Sequence, residues 1–146
     1  MHTKQTILLV DDDAEDRLFF IETLLEIEGA TLFDVAYNGR EALDRLENTP
    51  LLPTLIFMDI NMPLMNGMEC LLAIRKNPQI SGIPVIILSG STSEIAQAQA
   101  LGAMGFIQKT DNTDLMRKQL TQLIDLDFLT EGHIANQSFK MALESS

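Results

Sequence analysis

The chain is short of the residues that build most metal and hydrolytic centres. It has a single cysteine, Cys70, so no internal disulfide can form. Met68, Leu71 and Leu72 surround that cysteine at helical spacing, which marks it as core filling. Its two histidines, His2 and His133, lie in opposite terminal segments, and no zinc cluster or serine–histidine triad can be assembled from them. Basic residues are also scarce: 10 Lys and Arg stand against 21 Asp and Glu, a net charge of −11. Affinity for a phosphate backbone depends on basic side chains displacing counterions, so direct nucleic-acid binding is not expected. No apolar run approaches the roughly 20 residues that span a bilayer, and Met1 to Gln5 offers no charged-then-apolar signal segment. A cytoplasmic protein without membrane contact is expected. The phosphate-cradling patterns GxGxxG and GxxxxGK[ST] are both missing, which argues against a nucleotide-binding fold.

What is present points to one globular α/β domain. A chain of 146 residues with 46% apolar and 21% charged residues can bury one real core. Apolar blocks alternate with segments of helical period, and strands are predicted at TILLV (6–10), TLFDVAY (31–37), TLIFMD (54–59), PVIILS (84–89) and MGFIQK (104–109). Gly29, Asn38-Gly39, Pro50, Pro53 and the span from Pro78 to Pro84 punctuate the pattern. Blocks one, three and four are almost continuously apolar, as parallel strands covered on both faces must be. Block two alternates, carries Asp34 and suits a sheet edge. Right-handed crossovers then predict a doubly wound, flavodoxin-like five-stranded sheet in the order 2-1-3-4-5, binding ligands at the carboxyl ends of its strands. This domain is expected over residues 1–129, and 130–146 as a tail or short appended helix.

The stretch TILLVDDDAED (6–16) sets the chemical problem. Asp13 with Glu15 and Asp16 fits a helix N-cap followed by acids at the positive end of the helix dipole. Asp11 and Asp12 precede that cap, and capping gives no reason for them. Asp59 closes the third block, so neighbouring strands one and three bring three carboxylates to one rim. Such a cluster raises its own pKa values unless a hard cation neutralises it, and without His or Cys nearby Mg2+ fits best. Ser89 ends block four with a hydroxyl, and Gly90 has no side chain to obstruct a group arriving over Asp59. Lys109 ends block five as the only positive side chain predicted at this rim. A carboxylate nucleophile, a metal seat, a hydroxyl and an ammonium together match phosphoryl transfer to Asp59.

With VDDD at strand one, MDINMPLMNG at 58–67, LSGS at 88–91 and Lys109 after GFIQ, the chain resembles the receiver domains of two-component response regulators, including the single-domain chemotaxis type. The resemblance spans about residues 5–128. It implies Asp59 as phosphoacceptor, Asp12 as direct metal ligand, Asp11 acting mostly through water and the Asn61 backbone carbonyl as a further ligand. It also implies Ser89 on the phosphoryl group, Lys109 paired with it, and Ser89 and Phe106 as the switch pair. The phosphoryl group would come from a sensor histidine kinase or histidine phosphotransfer protein. The signal would leave by protein contact on the face of helix four, strand five and helix five, with Ile95, Phe106 and Met116 as candidate members. One departure is Thr110, where the family usually has proline after the lysine. Without proline the Lys109–Thr110 bond is expected to be trans. The rival reading is a haloacid-dehalogenase-like phosphatase with Asp59 as nucleophile. That class needs a second aspartate two residues on, where this chain has Asn61.

Overall fold

The computed structural model describes residues 5–125 and the backbone of residues 140 and 141. Strands follow the apolar blocks closely: β1 (Gln5–Val10), β2 (Ala30–Ala36), β3 (Leu55–Asp59), β4 (Val85–Ser89) and β5 (Gly105–Gln108). Between and after them run α1 (Ala14–Leu25), α2 (Gly39–Glu47), α3 (Gly67–Lys76), α4 (Ile95–Ala100) and α5 (Thr113–Asp125). All five strands are parallel, in the order β2-β1-β3-β4-β5. This is the doubly wound arrangement expected, with its crevice where the winding reverses between β1 and β3.

Period-two alternation along each strand divides the core in two. Leu8, Val10, Ile56, Met58, Ile87 and Phe106 face one side, where they join side chains of α2, α3 and α4. Ile7, Leu9, Leu55, Phe57, Ile86, Leu88 and Ile107 face the other, against α1 and α5. There the Phe20 ring meets Phe57 at 5.1 Å between centroids, in a tilted arrangement that suits the aromatic quadrupoles. Cys70 is fully buried in the first cluster, and burial pushes its thiol up to about 12, so it is inert filling. Among the described residues no helix is long and apolar enough to cross a membrane.

β2 is the edge its sequence suggested. Its register against β1 slips between Ile7 and Leu8, so that Phe33 is an extra, unpaired residue in a β-bulge. On the other side the sheet goes one strand further than expected: β6, Lys140–Met141, pairs in parallel with Gly105 and Phe106 of β5. Two residues carry no readable alternation, which is why no strand was predicted there. The expected boundary at residue 129, and the remainder of 130–146, lie outside the described residues.

Side-chain caps place the helix starts beside the strand ends. Asp13 accepts from the Asp16 backbone at 3.0 Å to open α1, and Asn38 accepts from Glu41 at 2.9 Å to open α2. α3 has a full capping box: Glu69 N donates to Asn66 Oδ1 and Asn66 N to Glu69 Oε1, each at 2.9 Å. Asn66→Ala removes its reciprocal half and should cost about 1 kcal/mol in urea unfolding. An unchanged midpoint would show that the Asn66 side-chain cap contributes nothing to α3.

Candidate functional site

Parallel pairing of Val10 with Met58 puts the residues that follow, Asp11 just past β1 and Asp59 at the end of β3, side by side. One carboxylate oxygen from each of Asp11, Asp12 and Asp59 lies within 4.8 Å of the other two. Asp11 and Asp59 are buried and Asp12 is exposed. Three convergent oxygen donors with no thiol or imidazole among them fit a hard divalent cation. Asn61 lines the same open cleft, with Asp12, Asp13, Glu15, Asp16 and Asp59. The three carboxylates that the sequence placed at one rim do converge there.

A close approach fixes the loop that carries Asn61. Gly67, the first residue of α3, donates its N–H to the Ile60 carbonyl at 2.8 Å. A Cβ there would overlap the Asp59 carbonyl oxygen and come within 2.9 Å of Ile60 Cα. Only glycine lets α3 start against the end of β3. Gly90 is different: a Cβ there would meet nothing within 4 Å, so the approach over β4 is open but packing does not require glycine.

Lys109 enters from β5. Its backbone N–H donates to the Ser89 carbonyl at 2.7 Å, continuing the β4–β5 ladder. It lines a narrow cleft together with Asp11, Asp16, Phe19, Phe20, Leu88 and Met116. The ammonium meets three carboxylates: Asp16 at 2.7 Å, Asp11 at 3.2 Å and Asp59 at 3.4 Å. The Lys109–Thr110 bond is trans, as expected without proline. The Ser89 hydroxyl is buried and accepts from the Ser91 backbone at 3.2 Å.

Electrostatics follow from this crowding. Burial pushes the Asp59 carboxyl up to about 6; the Lys109 charge opposes the shift and the Asp11 charge adds to it. Asp11 is also raised, again by burial, against a hydrogen bond from Asp13 N–H and the charge of Lys109. Burial lowers the Lys109 pKa, but the Asp16 hydrogen bond and the charges of Asp11 and Asp59 outweigh it, so the net shift is upward. One ammonium thus serves several acids, and the remaining negative charge is what a cation neutralises.

Two residues at the rim were missed from the sequence. Asp16 was already accounted for by the helix dipole, and nothing near it in sequence announces a contact with Lys109. Arg17 corrects the statement that Lys109 is the only cation here: its Nη1 donates to the Asp11 carbonyl at 3.0 Å while its guanidinium lies 4.2 Å from the Tyr37 ring centroid. The expected output residues also need correction. Phe106 and Met116 are both buried, on opposite faces of the sheet, and only Ile95 is partly exposed. β5 alternation turns Phe106 inward among Ala98 and Ala103, while Met116 lines the α5 side.

A doubly wound α/β domain with acids and a lysine at the ends of β1, β3 and β5 defines a class of protein whose strand ends can seat a divalent cation and an anionic group. A family profile described as "Response regulator receiver domain" matches residues 7–121, and the chain belongs to that family. It is a phosphorylation-controlled signalling switch of the two-component type. Protein-glutamate methylesterase/protein-glutamine glutaminase 3 of Rhodospirillum rubrum is 41% identical over 95% of this chain, but the match covers 37% of that protein. The chain spans about a third of the curated relatives of this kind that it matches. Among solved structures, chemotaxis response regulator CheY4 of Vibrio cholerae has 30% identity and a TM-score of 0.70, with 84% of this chain and 99% of that one covered. The Mn2+-bound response regulator Rcp1 has 29% identity and a TM-score of 0.70, covering 82% and 91%. The phosphorylated cyanobacterial phytochrome regulator RcpA has 25% identity and a TM-score of 0.72, covering 83% and 91%.

Proposed function

We propose that Asp59 accepts a phosphoryl group from a phosphohistidine on a sensor kinase or histidine phosphotransfer protein. The observation that carries this reading is the meeting of Lys109 with Asp59 at 3.4 Å inside a three-carboxylate cluster. An Asp59 carboxylate oxygen attacks phosphorus, the P–N bond breaks, an acyl phosphate forms, and the departing imidazole recovers its neutral form by taking up a proton. Asp11, Asp12, Asp59 and the Asn61 backbone carbonyl hold Mg2+, which supplies positive charge against the phosphoryl oxygens. A divalent ion in Rcp1 and a phosphorylated state in RcpA support this assignment by family likeness. Lys109 pairs with a phosphoryl oxygen. Ser89 releases the Ser91 backbone and donates its hydroxyl to another. Phe106, fully buried and paired with Ile87 of β4, is the aromatic member of the switch pair with Ser89.

The domain processes no external substrate; it assists only its own phosphorylation and dephosphorylation. Asn61 occupies the place where a haloacid-dehalogenase-like phosphatase has its general acid, so a leaving alkoxide finds no proton donor there. Output passes to a downstream protein through the α4-β5-α5 side, where the phosphoryl charge biases Ser89 and its neighbours.

Acetyl phosphate with Mg2+ should add one phosphoryl group to the intact protein. The adduct should be absent in Asp59→Asn and strongly reduced in Asp12→Asn, read by intact-mass spectrometry. The same adduct on Asp59→Asn would defeat the assignment.

A further inference from the structure

The carboxylate nearest Lys109 is the one that the proposed phosphoryl chemistry does not use. Asp16 Oδ2 lies 2.7 Å from Nζ, closer than Asp11 or Asp59. Its orientation has a local cause. In a complete capping box the acid at the third helical position accepts from the N-cap backbone, as Glu69 does from Asn66. Asp16 holds that position in α1, with Asp13 as N-cap. Here, however, Asp13 N–H donates to Asp11 Oδ1 at 2.9 Å. Asp11 has taken the place of the third-position acid in the box, and the Asp16 carboxylate turns to Lys109 instead.

An ammonium has three N–H donors, and three carboxylates already face the one at Lys109, so none is left over for a further acceptor. A phosphoryl group on Asp59 adds negative charge and needs one of those donors. Asp11 is walled in, with its side chain only 2% exposed, whereas the Asp16 side chain is 45% exposed and can exchange Lys109 for water at the least cost. We propose that Asp16 is a positioning residue that latches Lys109 toward α1 in the unphosphorylated protein, and that the phosphoryl group must displace this latch. The inference rests on the assignment of Asp59 and Lys109 as the phosphoryl-binding pair. It makes Asp16 a determinant of how readily the phosphorylated state is populated, and it links α1 directly to the acceptor.

Beryllium fluoride, a phosphoryl mimic, tests this by titration into each variant under amide NMR, at Mg2+ levels that separate Mg2+ titrations show to be saturating. Asp16→Asn should bind the mimic roughly two- to fivefold more tightly, the scale of an ion pair of this exposure. Asp16→Glu should return affinity toward the wild-type value. Before any mimic is added, the Lys109 amide resonance should already shift in Asp16→Asn. In a Lys109→Ala background the Asp16→Asn gain should vanish. An undiminished gain there would mean that Asp16 acts only as a through-space charge, and would overturn the latch. Unchanged or weakened affinity in folded Asp16→Asn would overturn it as well. Failure of the wild-type protein to bind the mimic at Asp59 would instead overturn the underlying assignment, and the latch with it.

Discussion

Asp59→Asn should stabilise the folded protein while removing its phosphoryl acceptor. Burial holds the Asp59 carboxyl at about 6 against an ordinary 3.8, so the unfolded chain releases this proton more readily than the native one. A raised folded-state pKa contributes stability that is fully present below the unfolded value and is lost as pH rises through the folded value. Above about pH 6 the ionised carboxylate therefore costs the native state on the order of 3 kcal/mol, from a separation of roughly two pKa units. Asparagine avoids that cost, and the opposing pull of Lys109 is already contained in the value of about 6. The gain should therefore be about 3 kcal/mol at pH 8 in metal-free buffer, shrinking as pH falls toward 4. Urea unfolding of the two proteins across this range checks it. A mutant no more stable than wild type at pH 8 would show that Lys109 already neutralises Asp59 in full. The trade is the familiar one in which a reactive site is held at the expense of the fold.

Gly67→Ala should do the opposite, damaging fold and site together. The added methyl would overlap the Asp59 carbonyl, and neither partner is a flexible side chain that can swing aside. Relief requires moving the start of α3 or the end of β3, which breaks the 2.8 Å bond from Gly67 N–H to the Ile60 carbonyl. A loss of about 3 kcal/mol is expected, at the upper end for overpacking. For a domain of this size that lowers Tm by roughly 10 °C. Mg2+ affinity should fall in the same variant, because the displaced backbone carries both Asp59 and Asn61. Gly82→Ala is the control: a Cβ there meets nothing within 4 Å, so Tm should hold. Wild-type Tm and Mg2+ affinity in Gly67→Ala would sink the close-packing explanation.

Strands β1, β3 and β4 were legible because they are covered on both faces, and continuous apolar runs such as ILLV and LIFM have few other uses in a chain this charged. The edge character of β2 was legible through Asp34. The acidic rim was legible because Asp11, Asp12 and Asp59 each follow directly from a recognisable strand, and parallel strand ends align. What escaped was geometry created by long-range contacts. Asp16 meets a lysine 93 residues away, and its position in a first helical turn already had a sufficient local explanation. Phe106 and Met116 were placed on the output face by the family resemblance alone; their burial comes from the packing of β5 and α5 against opposite halves of the core, which no local pattern announces. Thr110 was read correctly because an intrinsic property of the peptide bond, rather than packing, decides its isomer.

The bulge at Phe33 has a bearing on how these molecules behave together in solution. An exposed strand end-on to solvent is a template on which another chain can build, and β2 forms one lateral margin of this sheet. Its extra residue disrupts the regular spacing of donors and acceptors that an incoming strand would need. Asp34 beside it is exposed and paired with Arg45 at 3.1 Å, so a docking strand would have to bury charge. The strongly acidic chain adds mutual repulsion at a distance. At this margin the fold discourages intermolecular sheet growth and keeps crowded copies from self-association through β2.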